Sequence, residues 1–264
     1  HGDRRACVPF DADDAAQHHL IDEGWAWMLR MNNAITSVGV TVPLKHSKTN
    51  DGGHAAAAVD VLQRRFANYS GLFEIMRHAQ IVAPSSGIVA IERIQRLYDP
   101  VVSPNCLMMP TTAVTIDPLH STGIAHSLAG VARIAEIILE SPGQVAIERY
   151  RRRVLAEADQ VDRMVAMAYD AIDSFPRFAM ACMVYFAATI TTEERLGSGQ
   201  NLKTLWLADD LQFTSVVRRC AKLLRSDASN DEAHDRIREM IAPWNAVGLL
   251  DETNGNRYAY TATK

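Results

Sequence analysis

A chain of 264 residues with 48% hydrophobic and 22% charged side chains can bury a sizeable core, as one large domain or two modest ones. Its net charge of -4, with one dense basic cluster (residues 149 to 153, "RYRRR") inside a helical pattern, argues against a nucleic-acid groove; the cluster reads as a solvated helix face. No apolar run reaches the roughly 18 residues of a membrane span. Cys7, Cys106, Cys182 and Cys220 show no metal-ligand spacing, which fits a reducing cytoplasm. The opening "HGDRRACVPF" is polar, loop-like and lacks Met, as expected of a fragment or a protein whose front end is absent.

In chain order, "QHHLID", "WAWMLRM" and "ITSVGVTV" predict an antiparallel sheet, the last two joined by "NNA", where Asn tolerates positive φ. In the third strand Thr36, Val38, Val40 and Val42 form an apolar face. Ile35, Ser37, Gly39 and Thr41 form a small or hydroxylic face that something approaches closely, not necessarily a ligand. Residues 55–79 read as one or two helices, and "GIVAIERIQRLYDP" and "NCLMMPTT" as short strands or extended segments. From Gly123 the period turns helical, over 124–140, about 142–172, 175–195 and 207–226, and 230–241, before an irregular tail. The fold class is α+β, with a sheet-containing part over 1–140 and a helical region over 141–264.

The segment "DPLHSTG", residues 117–123, runs into the first of these helices. Ile124, Leu128, Val131, Ala135 and Ile138 share one face, which predicts that this face packs on a core, while Arg133, Glu136 and Glu140 fall elsewhere. Ser121 and Thr122 are good N-cap residues, and Gly123 lets another group approach the backbone. The first-turn N–H groups and the helix dipole favour an anion or an electron-rich ring edge there. Spacing alone leaves two readings open: an ordinary cap or a binding site. Trp25 and Trp27 share a strand face, as core or as pocket wall. His18 and His19 point to opposite faces, and His126 lies on a different helix face from His120, so no metal site is expected. Glu193 and Glu194 read as exposed helix-end charge.

"DPLHSTGIAHSLAG", taken with "HHLIDEGWAWMLRMNNAITSVGV" upstream, resembles the flavin-dependent halogenases and their halogenase-like oxidoreductase relatives, which share the p-hydroxybenzoate hydroxylase type of fold. A Gly-Trp-x-Trp strand, a following Thr-Ser-Val-Gly-Val strand and an Asp-Pro-Leu-x-Ser-Thr-Gly segment entering a helix occur in the family's order. The resemblance implies FAD as cofactor, with Asp117, Pro118, Leu119, Ser121, Thr122, Gly123 and Ile124 beside the isoalloxazine and the helix N-terminus facing its N1 and C2 carbonyl side. Thr122 and Gly123 would offer backbone donors to halide, and Trp25 and Trp27 would line the substrate pocket. The implied partners are a small organic substrate, halide and a flavin reductase, with no nucleic acid or membrane. Reduced flavin and O₂ would supply halogenation or monooxygenation.

The departures are equally specific. A G-x-G-x-x-G fingerprint and the halogenase catalytic Lys are absent from this chain, and the Trp-x-Trp motif continues as Met28-Leu29-Arg30. Thr111 and Thr112 stand where many flavoproteins of this fold carry a Gly-Asp pair. His120 occupies the position of the tryptophan halogenases' catalytic Glu; it can relay protons but supplies no fixed negative charge, and is the candidate catalytic residue. The expected function is therefore an FAD-dependent halogenase-like oxidoreductase. The alternative is a non-catalytic remnant or interaction protein that keeps the fold without FAD.

Overall fold

The computed structural model describes residues 15–22, 24–42, 62, 66–84, 89, 91, 93–103, 105–140, 143–200, 202–251 and 253. Cys7, the helix expected from residue 55 up to 61, and nearly all of the tail beyond 251 lie outside them. The chain divides into two compact units, residues 1–93 with 262–264, and residues 94–261.

The first unit contains the predicted antiparallel sheet. Strands β1 (Gln17–Ile21), β2 (Gly24–Arg30) and β3 (Thr36–Thr41) pair in sequence order, with Ala26 opposite both His19 and Val40. Positive φ in the β2–β3 turn falls on Ala34 (φ 62°) rather than on an Asn; Asn33 instead accepts from the Ile35 N–H through its side chain, at 3.2 Å. Because side chains alternate across a strand, one sheet face carries Ile21, Ala26, Met28, Val38 and Val40. This face packs against Phe66, Tyr69 and helix α1 (Ser70–Met76) through Leu72 and Met76.

His18, Trp25, Trp27, Gly39 and Thr41 share the other face. The close approach expected at Gly39 comes from within the sheet. The Trp27 indole lies across the glycine, and a Cβ there would sit 1.9 Å from its ring. Trp25 is fully buried beside Trp27, with the His18 ring edge-on to it at 4.8 Å. Replacing Gly39 with Ala should force the indole aside and cost about 1–3 kcal/mol, an overpacking penalty. A denaturant midpoint shift with an unchanged m-value checks this.

The second unit begins with two-residue strands: β4 (Arg96–Leu97) paired with β7 (Val114–Thr115), and β5 (Val102–Ser103) paired with β6 (Cys106–Leu107). The extended reading of "NCLMMPTT" holds only as far as β6. Pro110 then opens a helical turn, α2 (Pro110–Ala113), where its fixed φ and missing N–H suit a first helical position. Five longer helices follow: α3 (Gly123–Leu139), α4 (Gln144–Asp170), α5 (Phe175–Gly197), α6 (Leu211–Leu224) and α7 (Asn230–Ile241). Only the start of α6 differs by more than about two residues from the periodicity. Asp210 caps it by accepting from the Phe213 N–H at 3.0 Å, and the preceding Trp206 and Leu207 adopt left-handed φ values of 51° and 55°, which a helix excludes. Among the described residues, no helix is long and apolar enough to cross a membrane.

The face of α3 is corrected. Ile124, Leu128, Val131, Ala135 and Ile138, expected on the core, are exposed, Ile124 by 78% and Ile138 by 65%. The buried side is the opposite one, with His126, Gly130 and Ile137, at about 100° of rotation per residue. Gly130 explains how closely it packs, since a Cβ would lie 2.3 Å from the Pro110 ring. Ile137 joins Val101, Ala113, Val114, Tyr150, Val154 and Ala158 in one core. Tyr150 donates to the Met108 carbonyl at 2.6 Å, and burial pushes its phenol up to about 12. Within the basic cluster on α4, Arg151 pairs with Asp99 at 3.1 Å and Glu148 at 3.5 Å, and Arg152 with Glu148 at 3.9 Å.

Candidate functional site

The segment 117–123 folds as a cap followed by a sharp bend. Asp117 accepts from the Leu119 N–H (2.8 Å) through Oδ1 and from the Tyr169 hydroxyl (2.9 Å) through Oδ2, which closes a 3₁₀ turn over Pro118–His120. Burial pushes its carboxyl up, and these two hydrogen bonds work against that. Both oxygens are used within the chain, so Asp117 acts on the site by shaping its backbone. Leu119 is buried and anchors the turn in the core. Ser121 then takes a left-handed conformation (φ 52°) and its N–H donates to the Pro118 carbonyl at 3.0 Å, turning the chain into α3.

Thr122 is the N-cap residue of α3, but it adopts helical dihedrals and makes no side-chain cap. The ordinary-cap reading therefore fails at Thr122. Gly123 is exposed, and a Cβ there would meet only Thr111 Cγ2, at 3.8 Å. Nothing described in this chain requires a glycine at that position. Pro118, Ser121, Gly123 and Ile124 are all exposed and form an open shelf around the helix start, with Thr122 half-buried among them. Thr111, at the position of the Gly-Asp pair of other flavoproteins, lies beside α3, its hydroxyl 2.9 Å from that of Ser127.

His120 is fixed on one side of this shelf. Its ring is stacked on Tyr185 of α5, with centroids 4.0 Å apart and planes 4° apart, and Tyr185 donates to the His120 carbonyl at 2.9 Å. His126 points to another face, as its spacing predicted, into a buried cluster. There Glu157 of α4, with 0% exposure, accepts two hydrogen bonds from Arg133 (2.7 and 2.8 Å) and one from the Leu205 N–H (2.7 Å). His126 Nε2 lies 3.2 Å from Glu157 Oε2, an electrostatic contact without the direction of a good hydrogen bond. Burial pushes the Glu157 carboxyl up; the Arg133 hydrogen bonds, with His126 beside them, outweigh it and hold the group below its ordinary value. The cluster ties His126 and Arg133, about two turns apart on α3, to α4 and to the loop before α6.

Trp25 and Trp27 belong to the first unit and the 117–124 shelf to the second. Cys106, Cys182 and Cys220 are free, and no group of three or more His, Cys, Asp or Glu able to hold a metal occurs among the described residues. Sequence reasoning missed Tyr185, Glu157 and Trp206. Charged residues spaced in long helical runs read as solvent-facing, and a lone Tyr in an apolar helix reads as core.

The sequence model for the tryptophan halogenases matches residues 15–175, and the chain belongs to that family. Among solved structures it is similar to the halogenase PltM (17% identity, 90% of this chain and 53% of that one, TM-score 0.72). It is equally similar to PltM in complex with phloroglucinol and FAD (16% identity, 92% and 55%, TM-score 0.73). The fold is thus halogenase-like, and the chain spans about half the length of those solved relatives. No curated protein matches it.

Proposed function

We propose that this chain is the substrate- and flavin-facing part of an FAD-dependent oxidoreductase of the halogenase type, acting on a small organic substrate. The observation that carries the reading is the start of α3. Its cap residue supplies no acceptor to the first turn, and Gly123 beside it stands open without any need of the chain's own. Such a helix end favours negative charge, and the missing Cβ lets a flat ring lie against the backbone. These residues would hold the pyrimidine side of an isoalloxazine, and the backbone N–H groups of Thr122 and Gly123 would donate to a halide. When bound, FAD would supply the oxidising equivalent from O₂ that halogenation or monooxygenation consumes.

The exposed apolar stripe of α3 supports the same reading. Ile124, Leu128, Val131 and Ile138 form a continuous surface of the kind that another protein portion covers. The solved relatives reported above are about twice as long, and a nucleotide-binding portion is the proposed cover. The division into a sheet-containing part over 1–140 and a helical region over 141–264 belongs to the same proposal, as do the roles of Trp25 and Trp27 in the substrate pocket.

In this reading His120 would take or give a proton beside the reacting substrate; the stack that holds its ring plane and the ability of an imidazole to relay protons support it. Replacing His120 with Ala should lower turnover about 10²-fold with flavin content unchanged, the usual share of one general acid–base group. The functional test supplies the whole protein with reduced flavin, O₂, bromide and an electron-rich phenol, and reads products by mass spectrometry. A brominated or hydroxylated phenol is the expected result and separates the two chemistries. Flavin-loaded protein yielding neither, across a panel of phenols and indoles, would count against the enzyme reading.

A further inference from the structure

Tyr185 touches the candidate site twice, by its ring on the His120 ring and by its hydroxyl on the His120 backbone. Tyr185 lies on α5, 65 residues beyond His120 in the chain. Trp206 stands edge-on to His126 at 5.4 Å, and His126 faces the buried Glu157. Tyr185 and Trp206 are both buried. The 3₁₀ turn and α5 therefore meet at the His120 imidazole.

Resting on the reading of His120 as the proton-carrying group, we propose that Tyr185 is the positioning residue for His120. The stack fixes the plane of the imidazole and the hydroxyl fixes the backbone that carries it, so the ring keeps one orientation beside Ser121 and Thr122. The His120 ring is half-buried with its Nε2 shielded from solvent, so its orientation is set by what it packs on, and misplacement by about 1 Å can cost about 10²-fold in rate.

The first arm of the test needs no flavin. Histidine ring signals of the chain are recorded by NMR, with His120→Gln identifying the signal of interest. In the wild type the His120 ring protons should lie upfield of an exposed histidine, because they face the Tyr185 ring. Tyr185→Phe should keep that shift, and Tyr185→Leu should lose it. The second arm measures turnover of the whole flavoprotein. Tyr185→Leu should lower kcat by about 10²-fold with KM and flavin content little changed, and Tyr185→Phe by about fivefold, one neutral hydrogen bond. The double variant Tyr185→Leu/His120→Ala should be no slower than His120→Ala alone, since both act through one ring.

A His120 signal unmoved in Tyr185→Leu, or a double variant much slower than His120→Ala, would overturn the proposal. If Tyr185→Leu does not fold, Tyr185→Phe decides: return of its His120 signal to the exposed position overturns it as well. A protein that takes up no flavin would remove the flavoenzyme reading, while the ring signals would still report whether Tyr185 holds His120.

Discussion

Replacing Glu157 with Ala should destabilise the chain by about 3–5 kcal/mol, the loss expected when one partner of a buried ion pair is removed and the other stays behind. The magnitude follows from what remains. The Arg133 side chain is only 11% exposed and loses both of its hydrogen bonds, and the Leu205 N–H loses its acceptor. Glu157→Gln keeps the volume but not the charge, and should cost less, about 1–3 kcal/mol for imperfectly satisfied donors. Urea unfolding of the three proteins checks the order. A loss below about 1 kcal/mol in Glu157→Ala would mean that the cluster does not bind α3 to α4 and the loop before α6 as described.

The same group sets a pH dependence. The folded-state carboxyl is held below its ordinary value of 4.5, so the folded chain binds fewer protons than the unfolded chain around that pH. Its stabilisation is therefore complete above the ordinary carboxylate range and is lost as pH falls through 4.5 toward the lowered folded value. Wild type should lose stability on acidification over that window more steeply than Glu157→Gln, whose side chain does not titrate.

Gly123→Asp should abolish flavin binding while leaving the chain intact or slightly more stable. Gly123 is the first helical residue of α3, where a carboxylate complements the helix dipole by about 0.3–1 kcal/mol, and Gly is a poor helix former. The space around its missing Cβ is open, so no clash opposes the substitution in the described structure. The cost falls on the proposed ligand, whose ring would meet a bulky anion on the face meant to receive its negative side. Gly123→Ala should be milder, with stability up by about 0.8–1 kcal/mol and flavin affinity reduced rather than lost. Opposite signs for stability and binding separate a site residue from a structural one.

Much of the fold was legible because local chemistry decided it. Alternation in "TSVGV" assigned both faces of β3, and the shift to helical periodicity after Gly123 located five helices. The face of α3 was not legible. Its apolar residues follow a core pattern, yet Arg133 lies on the packed side because Glu157, 24 residues further on, supplies a buried counter-charge. A contact of that kind leaves no periodic trace, and a stripe left exposed in this chain has the same spacing as a core stripe. At the candidate site, "DPLHSTG" marked the turn that enters α3, but spacing could not tell a capped helix start from an uncapped one. That distinction rests on the dihedrals of Ser121 and Thr122. Tyr185 is brought to His120 by the packing of α5 across 65 residues of chain.

Whether the start of α3 faces a flavin is decided by equilibrium titration of FAD into the whole protein, wild type and Gly123→Asp in parallel. Wild type should show saturable binding near one flavin per chain with a perturbed visible spectrum, and a fully folded Gly123→Asp should show none. A wild type that stays colourless, or a Gly123→Asp protein that binds FAD as tightly as the wild type, would rule out a flavin at this helix start.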